Sequence, residues 1–252
     1  MIGIFDSGMG GLTVLDALKQ QMPQAEVVYF GDTKNAPYGN RTREELGALT
    51  VLGLKRLIDA GASNIIAACN SVSVGVAEPL LAIAGMERKD VIEMVGPTAR
   101  ALSQRAPMRI LVVATRATIE SGMYQSRLSE SGHEVIGLAI PALAGAIEAN
   151  ADTAPIIEEA FAKLQVPPDV ILFGCTHFPL VRHVFDNAIT QKSWKVEYVD
   201  PAVYVAAEAR VRFGGSEEGN GSIRFLLSND SKTFRQNAES LFSPFPYTID
   251  IV

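Results

Sequence analysis

Two stretches of this chain carry one pattern. Ile65-Ile66-Ala67-Ala68-Cys69-Asn70-Ser71 and Ile171-Leu172-Phe173-Gly174-Cys175-Thr176-His177 are each a short apolar run that stops at a cysteine and continues into polar side chains. Between them they hold the only two cysteines of the sequence. Short apolar runs bounded by small and polar residues predict strands buried on both faces. Two strands that end alike predict two copies of one architecture, each delivering a thiol where a strand hands over to a helix.

The surrounding sequence follows the same plan. Met1 to Phe5 reads as a strand, ending in Asp6-Ser7-Gly8-Met9-Gly10-Gly11, after which Leu12, Val14, Leu15 and Leu18 recur at helical spacing. Glu26 to Phe30 reads as a second strand, ending in Gly31-Asp32-Thr33 and a loop through Asn40. Thr42 and Glu45 predict a capping box, and Gly61 closes the helix it starts. Asn64 to Ala68 is a third strand, with a helix to about Ala84. Val91 to Val95 is a fourth, stopped by Gly96-Pro97-Thr98.

The order then restarts. Arg109 to Ala114, Glu134 to Ile140, Val170 to Gly174 and Val196 to Val199 read as strands. A helix surrounds Tyr124 and Leu128, and another runs through Glu148 and Ile156 to Leu164, broken near Asn150. A helix from Ala202 to Phe213, a flexible run over 214–221, a strand Ser222 to Leu227 and a helix Thr233 to Leu241 follow, and this last part returns to complete the first half. Strands alternating with helices give parallel sheets through right-handed crossovers. Ligands of such sheets bind outside the carboxyl ends of the strands. The expected class is α/β, with two mostly parallel sheets whose strand ends share one crevice.

Several functions are disfavoured at this stage. A net charge of −6 argues against nucleic acid or an anionic membrane as the main partner. No apolar run approaches the roughly 18 residues that span a bilayer. Met1 to Asp6 has no basic stretch of the kind that opens a signal peptide. Two cysteines in a chain of 252 residues do not suggest a disulfide framework, so a reducing cytoplasm with both thiols free is expected. The glycines after the first strand miss the dinucleotide fingerprint, because Thr13 stands where its third glycine belongs, and there is no Gly-Lys-Ser/Thr phosphate loop.

Two thiols facing one carbon from opposite sides suit racemisation or epimerisation: one removes a proton and the other returns one to the opposite face. A thiol pKa near 8.5 falls beside a helix N-terminus or a cation, and a base poised near the working pH is efficient. His177 is placed to assist Cys175, and Asp6 to assist Cys69. Ser7, Asn70, Ser71 and Thr176 offer neutral donors for a carboxylate, and Tyr38 with Gly39 can add one from the rim. Plainer readings exist for each. A free cysteine is a common core residue. Asp6 and Asp32 suit helix caps, the cap being the preferred reading for Asp32. Glu148 suits a solvated helix face, and His133 and His183 the surface. No spacing resembles a metal motif.

Four segments together resemble glutamate racemases of the aspartate/glutamate racemase superfamily. They are Phe5-Asp6-Ser7-Gly8-Met9-Gly10-Gly11-Leu12-Thr13-Val14; Gly31-Asp32-Thr33 with Pro37-Tyr38-Gly39; Ala68-Cys69-Asn70-Ser71; and Gly174-Cys175-Thr176-His177-Phe178-Pro179-Leu180. Their order and spacing match, and the similarity covers nearly the whole chain. The resemblance implies a cofactor-independent isomerase of two pseudo-symmetric lobes, residues 1–96 with 207–252 and residues 97–206, holding glutamate in the cleft between them. It implies that Cys69 works on the D-enantiomer and Cys175 on the L-enantiomer, with Asp6 and His177 as helpers. Asp6-Ser7, Tyr38-Gly39, Asn70-Ser71 and Thr176-His177 would contact the substrate. The implied role is to supply D-glutamate for peptidoglycan, and a homodimer is compatible with it.

The chain departs from the family pattern at Ser71 and Val72, over Ile140 to Ala146 ahead of the retained Glu148, at Ala114 and at Asp200-Pro201. These departures bear on the substrate more than on the reaction. They keep a racemase of aspartate or another small acid as the rival reading, with a non-catalytic binding protein on the same fold behind it. A pyridoxal phosphate enzyme would need a lysine at a defined site, and none is marked out.

Overall fold

A computed structural model describes residues 1–75, 78–214 and 219–252, with backbone only at 74, 75, 78 and 79. The first half runs β1 (Ile2–Asp6), α1 (Leu12–Gln21), β2 (Val27–Gly31), α2 (Arg43–Asp59), β3 (Asn64–Ala67), α3 (Asn70–Gly75), α4 (Glu78–Ala84), β4 (Val91–Glu93) and α5 (Val95–Leu102). The second runs β5 (Arg109–Ala114), α6 (Arg116–Glu120), α7 (Met123–Ser129), β6 (Glu134–Ala139), α8 (Leu143–Glu148), α9 (Ala154–Ala162), β7 (Val170–Gly174), α10 (Arg182–Gln191) and β8 (Glu197–Val199). α11 (Pro201–Phe213), β9 (Ile223–Leu227), α12 (Lys232–Phe242) and β10 (Tyr247–Ile251) finish the chain.

The strands form two sheets, ordered β10-β9-β2-β1-β3-β4 and β6-β5-β7-β8, and every described pairing is parallel. Helices flank both sheets, giving two α/β lobes. β9 crosses back to pair with β2 in the larger sheet. β1, β2 and β7 are buried along their whole length, as sheets covered on both faces require. One apolar core is shared between the lobes: Ile4, Tyr29 and Ile66 join Leu111, Phe173 and Ile171 through α1 and the Ala202, Val205 and Ala206 face of α11. This shared core fixes the two sets of strand ends relative to one another.

The local signals explain most boundaries. Thr42 and Glu45 form the reciprocal capping box at the start of α2, and Gly61, at φ 94°, follows its end. α8 and α9 are separate helices, with Asn150 at φ 51° between them. β4 is shorter than the sequence suggests. It ends at Glu93, and Gly96-Pro97-Thr98 lies in the first turns of α5, where a proline loses no hydrogen bond. The Glu93 carboxylate accepts the N–H groups of Val95 and Gly96 and so starts that helix early. β10 is an addition to the expected elements. Part of the run 214–221 and part of the segment leading to Ala84 lie outside the described residues. Among the described residues no helix is long and apolar enough to cross a membrane.

Candidate active site

β1 and β3 are neighbours, so Asp6 and Cys69 come out at adjacent strand ends of the larger sheet. β5 and β7 are neighbours in the smaller sheet and deliver Thr115 and Cys175 in the same way. The two sets of strand ends meet at a small cavity of about 10 Å³. Ser7, Pro37, Tyr38, Gly39, Cys69, Asn70 and Ser71 form its wall on the side of the larger sheet. Thr115, Ala144, Cys175 and His177 form the other wall. Both thiols are free, and the two cysteines are only 6% and 5% exposed. The site is therefore nearly closed to water. Larger surface grooves near Arg235 and along α11 hold neither cysteine.

Each thiol has a polar side chain beside it. The Cys69 sulfur lies 3.6 Å from Ser7 Oγ, and the Cys175 sulfur 3.8 Å from His177 Nδ1. Burial, and next the Asp6 carboxylate, push the Cys69 thiol up to about 12. Cys69 is therefore held as a neutral thiol. His177 Nε2 lies 2.7 Å from Glu148 Oε1, which also accepts the Met9 N–H at 2.9 Å. Burial alone would lower the His177 pKa, but its bonds to Cys175 and Glu148 outweigh it and hold the ring well above the ordinary histidine value. Burial would raise Glu148, and the same His177 contact brings it below the ordinary carboxylate value. The two form a buried ion pair whose imidazolium stands against the Cys175 sulfur.

Asp6 is fully buried behind the wall rather than on it. Its carboxylate accepts from Gly8 N–H at 2.8 Å and from Thr176 Oγ1 at 3.2 Å. Burial raises its pKa, and the charge of His177 works against that rise. The Thr176 side chain is spent on Asp6, so Asp6 and Thr176 sit together one layer behind the surface that a ligand would touch. Ser71 Oγ and Thr115 Oγ1 are 3.0 Å apart, and Thr115 also N-caps α6. Thr115 is a further wall residue, at a strand end that matches the position of Asp6 in the first half.

Glu148, Asp32 and His133 have other roles than the sequence suggested. Glu148 is no solvated face residue; its side chain is 16% exposed and reaches across to the glycine loop after β1. Asp32 caps no helix. It accepts from Tyr38 OH at 2.6 Å, Ser228 Oγ at 2.6 Å and Asn35 Nδ2, and so holds the rim loop that carries Tyr38 and Gly39. His133 is buried, with Nδ1 accepting the Met108 N–H and Nε2 3.0 Å from the Leu102 carbonyl. His183 is exposed, as expected. Among the family departures, Val72 faces the apolar core and leaves the cavity untouched, Ala144 lies on the wall, and Asp200 caps α11.

The glycines of the site make room for side chains from the other lobe. None of Gly8, Gly10 or Gly39 adopts left-handed backbone. A Cβ on Gly8 would fall 2.1 Å from Glu148 Oε1, one on Gly10 2.4 Å from His177 Nδ1, and one on Gly39 2.6 Å from Thr115 Cβ. Among the described residues no three His, Cys, Asp or Glu side chains are grouped to hold a metal ion.

Residues 11–209 match the family model described as Asp/Glu/Hydantoin racemase. A glutamate racemase of Carboxydothermus hydrogenoformans is 33% identical over 264 aligned positions, covering 100% of this chain and 94% of that protein. The crystal structure of glutamate racemase isoform RacE1 from Bacillus anthracis superposes with a TM-score of 0.83 at 26% identity, covering 100% of this chain and 97% of that one. An aspartate racemase from Picrophilus torridus shares the fold at a TM-score of 0.57 and 18% identity, covering 84% of this chain and 94% of that one. The chain belongs to the Asp/Glu/hydantoin racemase family and is an isomerase. A glutamate racemase of Aquifex aeolicus is 32% identical and covers 95% of this chain and 91% of that protein.

Proposed function

We propose that this protein interconverts L- and D-glutamate, without a cofactor, by proton transfer between Cα and two thiols. The observation that carries the reading is the placement of both cysteines on opposite walls of one closed cavity, each from a different sheet. From D-glutamate, Cys69 as thiolate takes the Cα proton, and the Cys175 thiol gives one to the opposite face. The products are L-glutamate, a neutral Cys69 and a Cys175 thiolate; the reverse reaction exchanges the roles. His177, kept protonated by Glu148, can return a proton to Cys175. Asp6 acts behind Cys69 and Ser7. The Cα proton is weakly acidic, so the donors of a closed, dry site must stabilise the carbanion-like transition state. Ser7, Tyr38, Gly39, Asn70 and Ser71 hold the substrate from one side and His177 from the other, with Asp6 and Thr176 supporting them.

The lobes that enclose the substrate are residues 1–96 with 207–252, and residues 97–206. Glutamate is favoured over aspartate because a relative that covers the whole chain is a glutamate racemase and the bulkier Val72 does not reach the cavity. The product D-glutamate serves peptidoglycan synthesis in the cytoplasm. The purified protein, incubated without cofactor in heavy water with L-glutamate and separately with L-aspartate, tests this. Joint loss of optical rotation and of the α-proton signal for glutamate is expected. Loss for aspartate alone would replace the substrate, and silence for both from folded, reduced protein would overturn the racemase reading.

A further inference from the structure

One polar atom on the cavity wall has no partner. Asn70 is 2% exposed, and its Oδ1 accepts from the Tyr124 hydroxyl at 2.7 Å, while its Nδ2 is buried and unbonded. A buried N–H group left unpaired destabilises the protein, so this NH2 is poised for an acceptor brought by a ligand. Tyr124 is fully buried on α7, in the core beneath the smaller sheet, and lies outside the cavity wall. Asn70 opens α3 beside the larger sheet. A side-chain amide can present either its oxygen or its nitrogen in a given direction. A phenol donor fixed on one side settles which. Burial keeps the Tyr124 hydroxyl well above the ordinary tyrosine value, so it remains a donor at every working pH.

We infer that Tyr124 is a positioning residue for substrate binding, holding the Asn70 amide so that its NH2 faces a carboxylate oxygen of the amino-acid substrate. The inference rests on the racemase reading and deepens it. Tyr124 acts only through Asn70, so the donor of one lobe is set by a hydroxyl from the other.

The test compares wild type, Tyr124→Phe, Asn70→Ala and the double variant. It measures the dissociation constant of glutamate by calorimetry, initial rates from each enantiomer, and the ligand-free melting temperature. Tyr124→Phe keeps the ring and its packing. It should raise Kd and KM for both enantiomers by roughly five- to ten-fold, the loss of about one hydrogen bond. Its kcat should stay within about two-fold, because the lost contact serves ground and transition state alike. The double variant should bind as Asn70→Ala does, since a residue that acts through another adds nothing once that other is gone. Wild-type binding by Tyr124→Phe, multiplied losses in the double variant, or a fall in kcat at unchanged KM would overturn the inference. A wild-type protein that binds no glutamate would overturn the substrate reading itself, and shows it before any substitution is made.

Discussion

Glu148 Oε1 lies 2.7 Å from His177 Nε2, and the same oxygen accepts the Met9 N–H, so one carboxylate joins the second cysteine's neighbour to the glycine loop of the first lobe. The pair has a definite pH window. Glu148 has a depressed pKa, so its contribution is present above about pH 4.3 and is lost as pH falls through the lowered value. His177 has a raised pKa, so its contribution is complete below about pH 6.5 and is lost as pH rises through the raised value. Glu148→Gln should destabilise the protein by about 3 kcal/mol between those limits, as loss of one partner of a buried pair does. Melting curves of the two proteins across pH should converge in acid and in strong alkali. A difference independent of pH would mean that the contact is not an ion pair.

Cys69 in the ligand-free protein should be a slow nucleophile. In a Cys175→Ser background, alkylation by iodoacetamide should quicken about tenfold for each pH unit, with no plateau until its thiol titrates at about 12. Asp6→Asn removes the charge that is the second cause of that shift, and should make the reaction faster at any pH below the plateau. A plateau near pH 8 to 9 would show that the thiol is not held neutral.

Gly10→Ala places a methyl group 2.4 Å from His177 Nδ1 and 2.5 Å from Thr176 Oγ1. It should cost about 1–3 kcal/mol of stability and most of the racemase activity. Gly47→Ala in α2 meets nothing nearer than 3.5 Å and should stabilise by about 0.5–1 kcal/mol. Thermal melts and initial rates distinguish the two, and equal behaviour would remove the steric account of the loop.

Asp32→Asn replaces an acceptor that serves Tyr38, Ser228 and Asn35 with a group that brings N–H bonds of its own. At least one donor is left facing another donor. The variant should lose about 1–3 kcal/mol of stability and show a raised KM through a loosened rim loop, while the proton-transfer step is spared. A wild-type KM would mean that the loop keeps its place without Asp32.

What the sequence made legible was whatever depended on neighbours in the chain. The strand–turn–helix order, the capping box at Thr42 and Glu45, the break near Asn150 and the two cysteines at strand ends all rest on local spacing. The misread residues take their meaning from partners far along the chain. Glu148 looks like an exposed helix carboxylate until His177 and Met9 are folded against it. Asp32 looks like a cap until Ser228, 196 positions on in the chain, arrives at the end of the neighbouring strand β9. His133 is silent because its partners are backbone groups at 102 and 108. Tyr124 belongs to an ordinary apolar helix face until its hydroxyl meets Asn70. The glycines at 8, 10 and 39 were half a clue: only their backbone angles, none left-handed, show that they make room for something else.

Those glycines mean that the two halves are not exchangeable modules. Gly8, Gly10 and Gly39 are sockets shaped by Glu148, His177 and Thr115 of the opposite half. A chimera that joins the first half of this chain to the second half of a relative keeps its fit only if the incoming side chains match the sockets already cut for them. Shuffling at the lobe boundary therefore has to carry lock and key together.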